Sequence, residues 1–130
     1  MNNSVFLKIN PILNELKLDN NIIAIYLFGS QATNKNKSYS DIDICLILKN
    51  NDKAIDYLGY SGKYIDISVF DKLPLTAKYK VFKEGKLLFV SNKAVLDEIK
   101  IRVLRDYLDN KYYLDLGFEY FLNKEGVKFE

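Results

Sequence analysis

The sequence contains no histidine, one cysteine and almost no excess of either charge. Without histidine, Ser-His-Asp and Cys-His nucleophilic chemistry drop out, as does every His-ligated zinc or iron site. The single Cys45 excludes an internal disulfide framework, which fits a reducing, cytoplasmic compartment. Lys+Arg number 19 and Asp+Glu 17, a formal charge of +2. That balance leaves no footprint for direct nucleic-acid binding or for a polybasic membrane surface. No apolar run approaches the roughly 18–20 residues that span a bilayer, and the opening MNNSVFLKINP lacks the charged and apolar regions of a signal peptide. What is present is 130 residues at 48% hydrophobic, the size of a single globular domain spanning 1–130. Any catalysis has to run on carboxylates, hydroxyls, lysine or a hard metal ion.

Periodicity divides the chain into short elements. Ile9, Ile12, Leu13 and Leu16 have helical spacing, and Pro11 predicts a helix that starts there with Asn10 as its N-cap. Residues 22–28 (IIAIYLF) form an apolar, β-branched and aromatic run, a central strand buried on both faces. Residues 31–39 are polar and read as a short helical turn and an exposed loop. Residues 41–48 (DIDICLIL) predict a second strand, 53–60 a short helix, and 63–70 (KYIDISVF) a third strand. Pro74 opens a helix stopped by Gly85, residues 87–90 add an edge strand, and 92–123 read as helix, with Gly117 a point of division. The order α-β-(turn)-β-α-β-α-β-α predicts an α+β (α/β-like) class: a mixed central sheet flanked by helices, with a long C-terminal helix. Cys45, between apolar neighbours on a strand, reads as a small core residue.

Acidic residues stand where strands should be apolar. Asp41 and Asp43 are two apart, so an extended strand projects both to one face about 7 Å apart. Paired anions on a packed sheet repel and desolvate each other unless a cation or a helix end lies between them. Asp66 interrupts the third strand in the same way. Read singly, each is equally a strand-end cap or a solvent-facing side chain. Together they form an all-oxygen donor set for a hard divalent ion, with Mg²⁺ the default. Upstream, Gly29-Ser30 follows a hydrophobic strand and precedes a helical turn, a junction that points N–H groups at an anion. The two features make a phosphate cradle opposite a metal clamp, suited to a nucleoside triphosphate.

The stretch LFGSQATNKNKSYSDIDICLIL resembles the signature of the polymerase-β-type nucleotidyltransferases, G-S-x₁₀-D-x-D, and Asp66 in YIDISVF falls where that family keeps a third metal ligand. The short length and the phrase VFKEGKLLF are similar to the minimal nucleotidyltransferases, in particular MntA-like antitoxins encoded beside HEPN-domain toxins. The matched core covers about 22–90, with the helical segment 92–124 matching in type. Many members carry Arg after the Gly-Ser and Gly soon after; Gln31 and Asn34 stand in those places, with Lys35 or Lys37 as substitutes.

The resemblance implies that Asp41, Asp43 and Asp66 are catalytic and hold two Mg²⁺ ions, while Gly29, Ser30 and Gln31 bind the nucleotide. ATP is the implied substrate, with AMP passed to an acceptor hydroxyl and pyrophosphate released. With little beyond the sheet and one long helix, the acceptor is expected on a partner: a HEPN toxin, silenced by AMP on a Tyr and held in a hetero-oligomer. The absence of histidine excludes this chain as the HEPN component, whose R-x₄₋₆-H motif it lacks. The competing readings are a nucleotidyltransferase for a small hydroxylated molecule, and an antitoxin that acts by binding alone. The aromatics Tyr107, Tyr112, Tyr113, Phe118, Tyr120 and Phe121 are either a packing face or a docking face, and Lys35 to Lys37 either a solvated rim or a phosphate-steering patch.

Overall fold

The computed structural model describes residues 3–28, 42–62 and 65–124. A helix α1 (Asn3–Leu16) leads into strand β1 (Ile22–Phe28), followed by β2 (Ile42–Leu48), a 3₁₀ segment (Asn51–Tyr60) and β3 (Ile65–Val69). A 3₁₀ turn (Phe70–Lys72), helix α2 (Leu75–Glu84), strand β4 (Lys86–Val90) and helix α3 (Lys93–Lys124) complete the order. The sheet runs β3-β2-β1-β4, with β2 and β3 parallel and the other two pairs antiparallel.

The expected central strand is β1, whose residues Ile22 to Leu27 are all buried. One face of the sheet carries Ile22, Ile25 and Leu27 with Ile44, Leu46 and Ile67, covered by α1 and the 3₁₀ segment. The other carries Tyr26, Cys45 and Ile47, covered by α2 through Val81 and by α3 through Leu96 and Val103. Alternation slips once in β1. Ile22 pairs with Leu48 and Ala24 with Ile47, leaving Ile23 as an extra residue, and both Ile23 and Ala24 join the α2–α3 side. This is a β-bulge.

Helix α1 departs from the sequence expectation. Pro11 lies inside it rather than at its start, and Asn10 is an exposed mid-helix residue instead of the cap. A helix-interior proline costs about 3 kcal/mol. Ile9, Leu13 and Leu16, at i, i+4 and i+7, are fully or almost fully buried. Each such side chain returns about 1.5–3 kcal/mol, so Ile9 holds the turn before the proline in place.

The helix expected at 53–60 is instead the 3₁₀ segment, entered earlier because Asn50 Oδ1 accepts from the Asp52 N–H at 2.9 Å, and kinked at Lys53. The third strand is shorter than expected, since Phe70 turns inward to the core as the 3₁₀ turn begins. Helix α3 continues as one helix through Gly117. The turn expected at 31–39 lies outside the described residues.

Amide side chains fasten one end of the β1–β2 pair. The Asn50 N–H donates to Asn21 Oδ1 at 2.8 Å, and Asn21 Nδ2 donates to the Asn50 carbonyl at 3.1 Å and to the Tyr57 hydroxyl at 3.2 Å. That hydroxyl donates in turn to Asp19 Oδ2 at 2.8 Å.

Gly85 stops α2 with an extended backbone (φ −74°, ψ 159°), so its need is for space and not for a left-handed conformation. A Cβ there would collide with the Val81 carbonyl oxygen and crowd the Leu27 carbonyl at 3.2 Å. Gly85→Ala is expected to cost about 1–3 kcal/mol in urea denaturation, as overpacking does. Gly59→Ala, with nothing within 4 Å of the added methyl, should change stability by no more than about 0.5 kcal/mol.

Candidate active site

The parallel pairing of β2 with β3 sets Asp43 opposite Asp66. Paired residues of neighbouring strands project to the same face, with backbones about 4.8 Å apart. Ile42, Ile44 and Leu46 on β2 and Ile65, Ile67 and Val69 on β3 point into the α1 side. The alternation therefore turns Asp43 and Asp66 to the opposite face. Phe28, the residue before Gly29, is the antiparallel partner of Asp43 and packs on that same side. Phe28, Asp43 and Asp66 thus make one row across three strands. Asp43 is half-buried and Asp66 exposed.

Two full negative charges roughly 5–6 Å apart repel by about 1–3 kcal/mol, depending on how much water lies between them. The strands pay this because their inward faces are apolar and fix the register: a one-residue slip of β3 would turn Ile65, Ile67 and Val69 outward. The pair is a fixed, directional source of negative field. Its hard oxygen donors suit a divalent cation such as Mg²⁺. Among the described residues no group of three potential metal-ligating side chains gathers. Asp41, the expected third carboxylate beside Asp43, lies outside the described residues, as do Gly29, Ser30 and Gln31 of the expected cradle and Lys35 to Lys37.

One row deeper the face is dry. The Cys45 thiol, two residues beyond Asp43, is pushed from 9.0 up to about 12 by burial. The Tyr26 hydroxyl is likewise pushed up to about 12, by burial first and then by the charges of Asp97 and Cys45. The Tyr26 ring meets Phe82 edge-on at 5.6 Å, and Phe82 meets Phe70 at 5.0 Å. A low-dielectric wall behind a polar row strengthens whatever electrostatics the row exerts.

Tyr107 takes the packing role: its ring stacks on Tyr79 of α2 at 3.9 Å, the planes within 1° of parallel. The side chains of the other five C-terminal aromatics lie outside the description. The sequence did not single out Phe28; its signal was the register between the ends of the two strands flanking 29–41. A cavity of about 440 Å³ between the 3₁₀ segment and the end of β3 is lined by neither Asp43 nor Asp66 and brings no carboxylate pair together.

Comparison with known proteins bears on this geometry. A family model described as polymerase beta, nucleotidyltransferase, matches residues 8–94. A curated relative from Methanocaldococcus jannaschii, provisionally named a protein adenylyltransferase, is 38% identical over 68 residues, covering 52% of this chain and 56% of the relative. The matched region thus spans little more than half the length of that protein. Two solved structures share the fold at low identity. One is described as a toxin–antitoxin with AMP-PNP (TM-score 0.65, 19% identity, 87% of this chain and 97% of that chain). The other is a tri-AMPylated Shewanella oneidensis HEPN toxin in complex with an MNT antitoxin (TM-score 0.61, 18% identity, 89% and 97%).

The buried protons of Cys45 and Tyr26 predict an alkaline limit on stability. Both groups hold their protons more tightly folded than unfolded, so this stability is complete below about pH 9 and is lost as pH rises toward 12. Unfolding free energy should fall from about pH 9 upward, and Cys45→Ala should flatten the portion between pH 9 and 10. At pH 8 a thiol reagent should label Cys45 only after denaturation.

Proposed function

This chain belongs to the polymerase beta nucleotidyltransferase family, and from that premise we propose that it is a Mg²⁺-dependent protein adenylyltransferase antitoxin, moving AMP from ATP to a Tyr of a HEPN-domain toxin. The observation that carries the proposal is the register of Asp43 against Asp66 on one face of the sheet. Support for the substrate and partner comes from the relatives: a name that specifies adenylyl transfer to protein, and a like-folded complex whose toxin is AMPylated.

In this reading Asp41, Asp43 and Asp66 hold two Mg²⁺ ions, which when bound neutralise phosphate charge and acidify the attacking hydroxyl. Asp43 and Asp66 orient from a rigid ladder, and Asp66, the more exposed, faces the acceptor. Gly29, Ser30 and Gln31 bind the triphosphate and align its leaving end. The acceptor hydroxyl gives its proton to water, its oxygen forms a bond to the α-phosphorus as the α–β bridging bond breaks, and pyrophosphate carries away that electron pair. Positioning and fixed charge supply the catalysis, with no covalent enzyme intermediate. The catalytic unit is the core 22–90, with the helical segment 92–124 attached to it in one domain, working in the cytoplasm. No helix among the described residues is long and apolar enough to cross a membrane.

The test is incubation with α-labelled ATP, Mg²⁺ and the HEPN toxin. Label on a toxin Tyr is expected, lost with chelator and restored by added Mg²⁺. Asp43→Asn and Asp66→Asn should each lower transfer by roughly 10²–10³-fold or more. The melting temperature of Asp66→Asn should stay level or rise, since it removes like-charge repulsion at an exposed position. Label on a small hydroxylated molecule would point to the small-molecule reaction instead, and a tight complex without label to neutralisation by binding.

A further inference from the structure

Helix α3 turns Leu96, Val103 and Tyr107 toward the sheet and α2. On its solvent side Ile101, Leu104 and Leu108 are 57%, 47% and 52% exposed. Their spacing of i, i+3 and i+7 lines them along one stripe. Scattered exposed leucines need no explanation, but three in line make the anchor pattern by which helices dock. At the same stripe, Leu104 borders a depression of about 250 Å³ between α3 and α2, lined by Tyr79, Phe82 and Val103 and edged by Lys83 and Lys100. No acidic residue lines it. The Lys83 ammonium lies 5.9 Å over the ring of Tyr79, another residue lining the depression. The stripe lies about 12–23 Å along the helix, which begins at Lys93.

An apolar groove with a lysine rim selects its occupant. A second copy presenting the same face would set lysine against lysine, whereas acidic flanks would be drawn in. We infer that the α2–α3 groove and the α3 stripe dock an amphipathic helix of the toxin whose apolar ridge is bordered by Asp and Glu. This rests on the antitoxin reading and adds to it a surface and the chemistry of the segment that fits it.

The test is calorimetric titration of the HEPN toxin into the full chain at 50 and 300 mM NaCl, beside the labelled-ATP assay. Leu104→Glu should weaken binding tenfold or more, because it places a charge at a central anchor. Lys83→Glu/Lys100→Glu should weaken it about tenfold at low salt and remove most of its salt dependence. Both variants should melt close to the parent, Leu104 and Lys83 being exposed and Lys100 half-buried; Ile101→Ser/Leu108→Ser serves as a second seam variant. Asp43→Asn should bind as the parent does while failing to transfer AMP. Unchanged affinity in the surface variants, with toxin still labelled by the parent chain, overturns the docking surface and leaves the enzymatic function standing. A parent chain that neither binds nor labels the toxin overturns both. A homodimer of this chain dissociated by Leu104→Glu also overturns the inference, making the stripe a self-contact.

Discussion

Two carboxylates stand side by side on neighbouring parallel strands, and the rest of the molecule is arranged to make that tolerable. Parallel pairing of β2 with β3 leaves no freedom to separate Asp43 from Asp66, because the apolar residues alternating with them are fixed against α1 and the 3₁₀ segment. Repulsion of about 1–3 kcal/mol is small beside the burial of Ile42, Ile44, Leu46, Ile67 and Val69, each worth about 1.5–3 kcal/mol. The core therefore wins and the charges stay together. The strand ladder, and not the carboxylates themselves, thus sets their spacing.

The two faces of the sheet divide the labour. The α1 side is an aliphatic layer, closed at one end by the Asn21–Asn50 amide exchange and the Tyr57–Asp19 hydrogen bond. The α2 side grades from the acidic row, through Cys45 and Tyr26, to stacked and edge-on aromatics that join α2 to α3. The same helices that bury Cys45 and Tyr26 behind the acidic row turn a lysine-edged groove outward on their other side.

Much of this was legible in the sequence, for physical reasons that can be named. IIAIYLF has no polar residue to face solvent, so it had to be central, and it is. Asp43 and Asp66 break apolar strand sequences, and alternation alone turns both away from the α1 side, as the register shows. Gly85 was placed correctly at the end of α2, although the reason is a near-contact with Val81 and Leu27, which only coordinates reveal. Pro11 misled because local rules put proline at a helix start, while tertiary burial of Ile9 decides the matter. The 3₁₀ segment was mistaken for an α-helix because periodicity over ten residues hardly separates the two. Strand order and register, which bring Asp43 beside Asp66 and Phe28, come from long-range pairing that no local pattern encodes.

The bulge at Ile23 has a consequence for the whole hairpin. It takes up a one-residue mismatch at the start of β1, so that from Ala24 onward the strands pair without interruption and Tyr26 and Phe28 share the face of their direct partners Cys45 and Asp43. Loss of Ile23 would regularise the ladder and leave the partners of Ala24 to Phe28 where they are, so this end of the hairpin has slack to absorb a change of length without disturbing the acidic row.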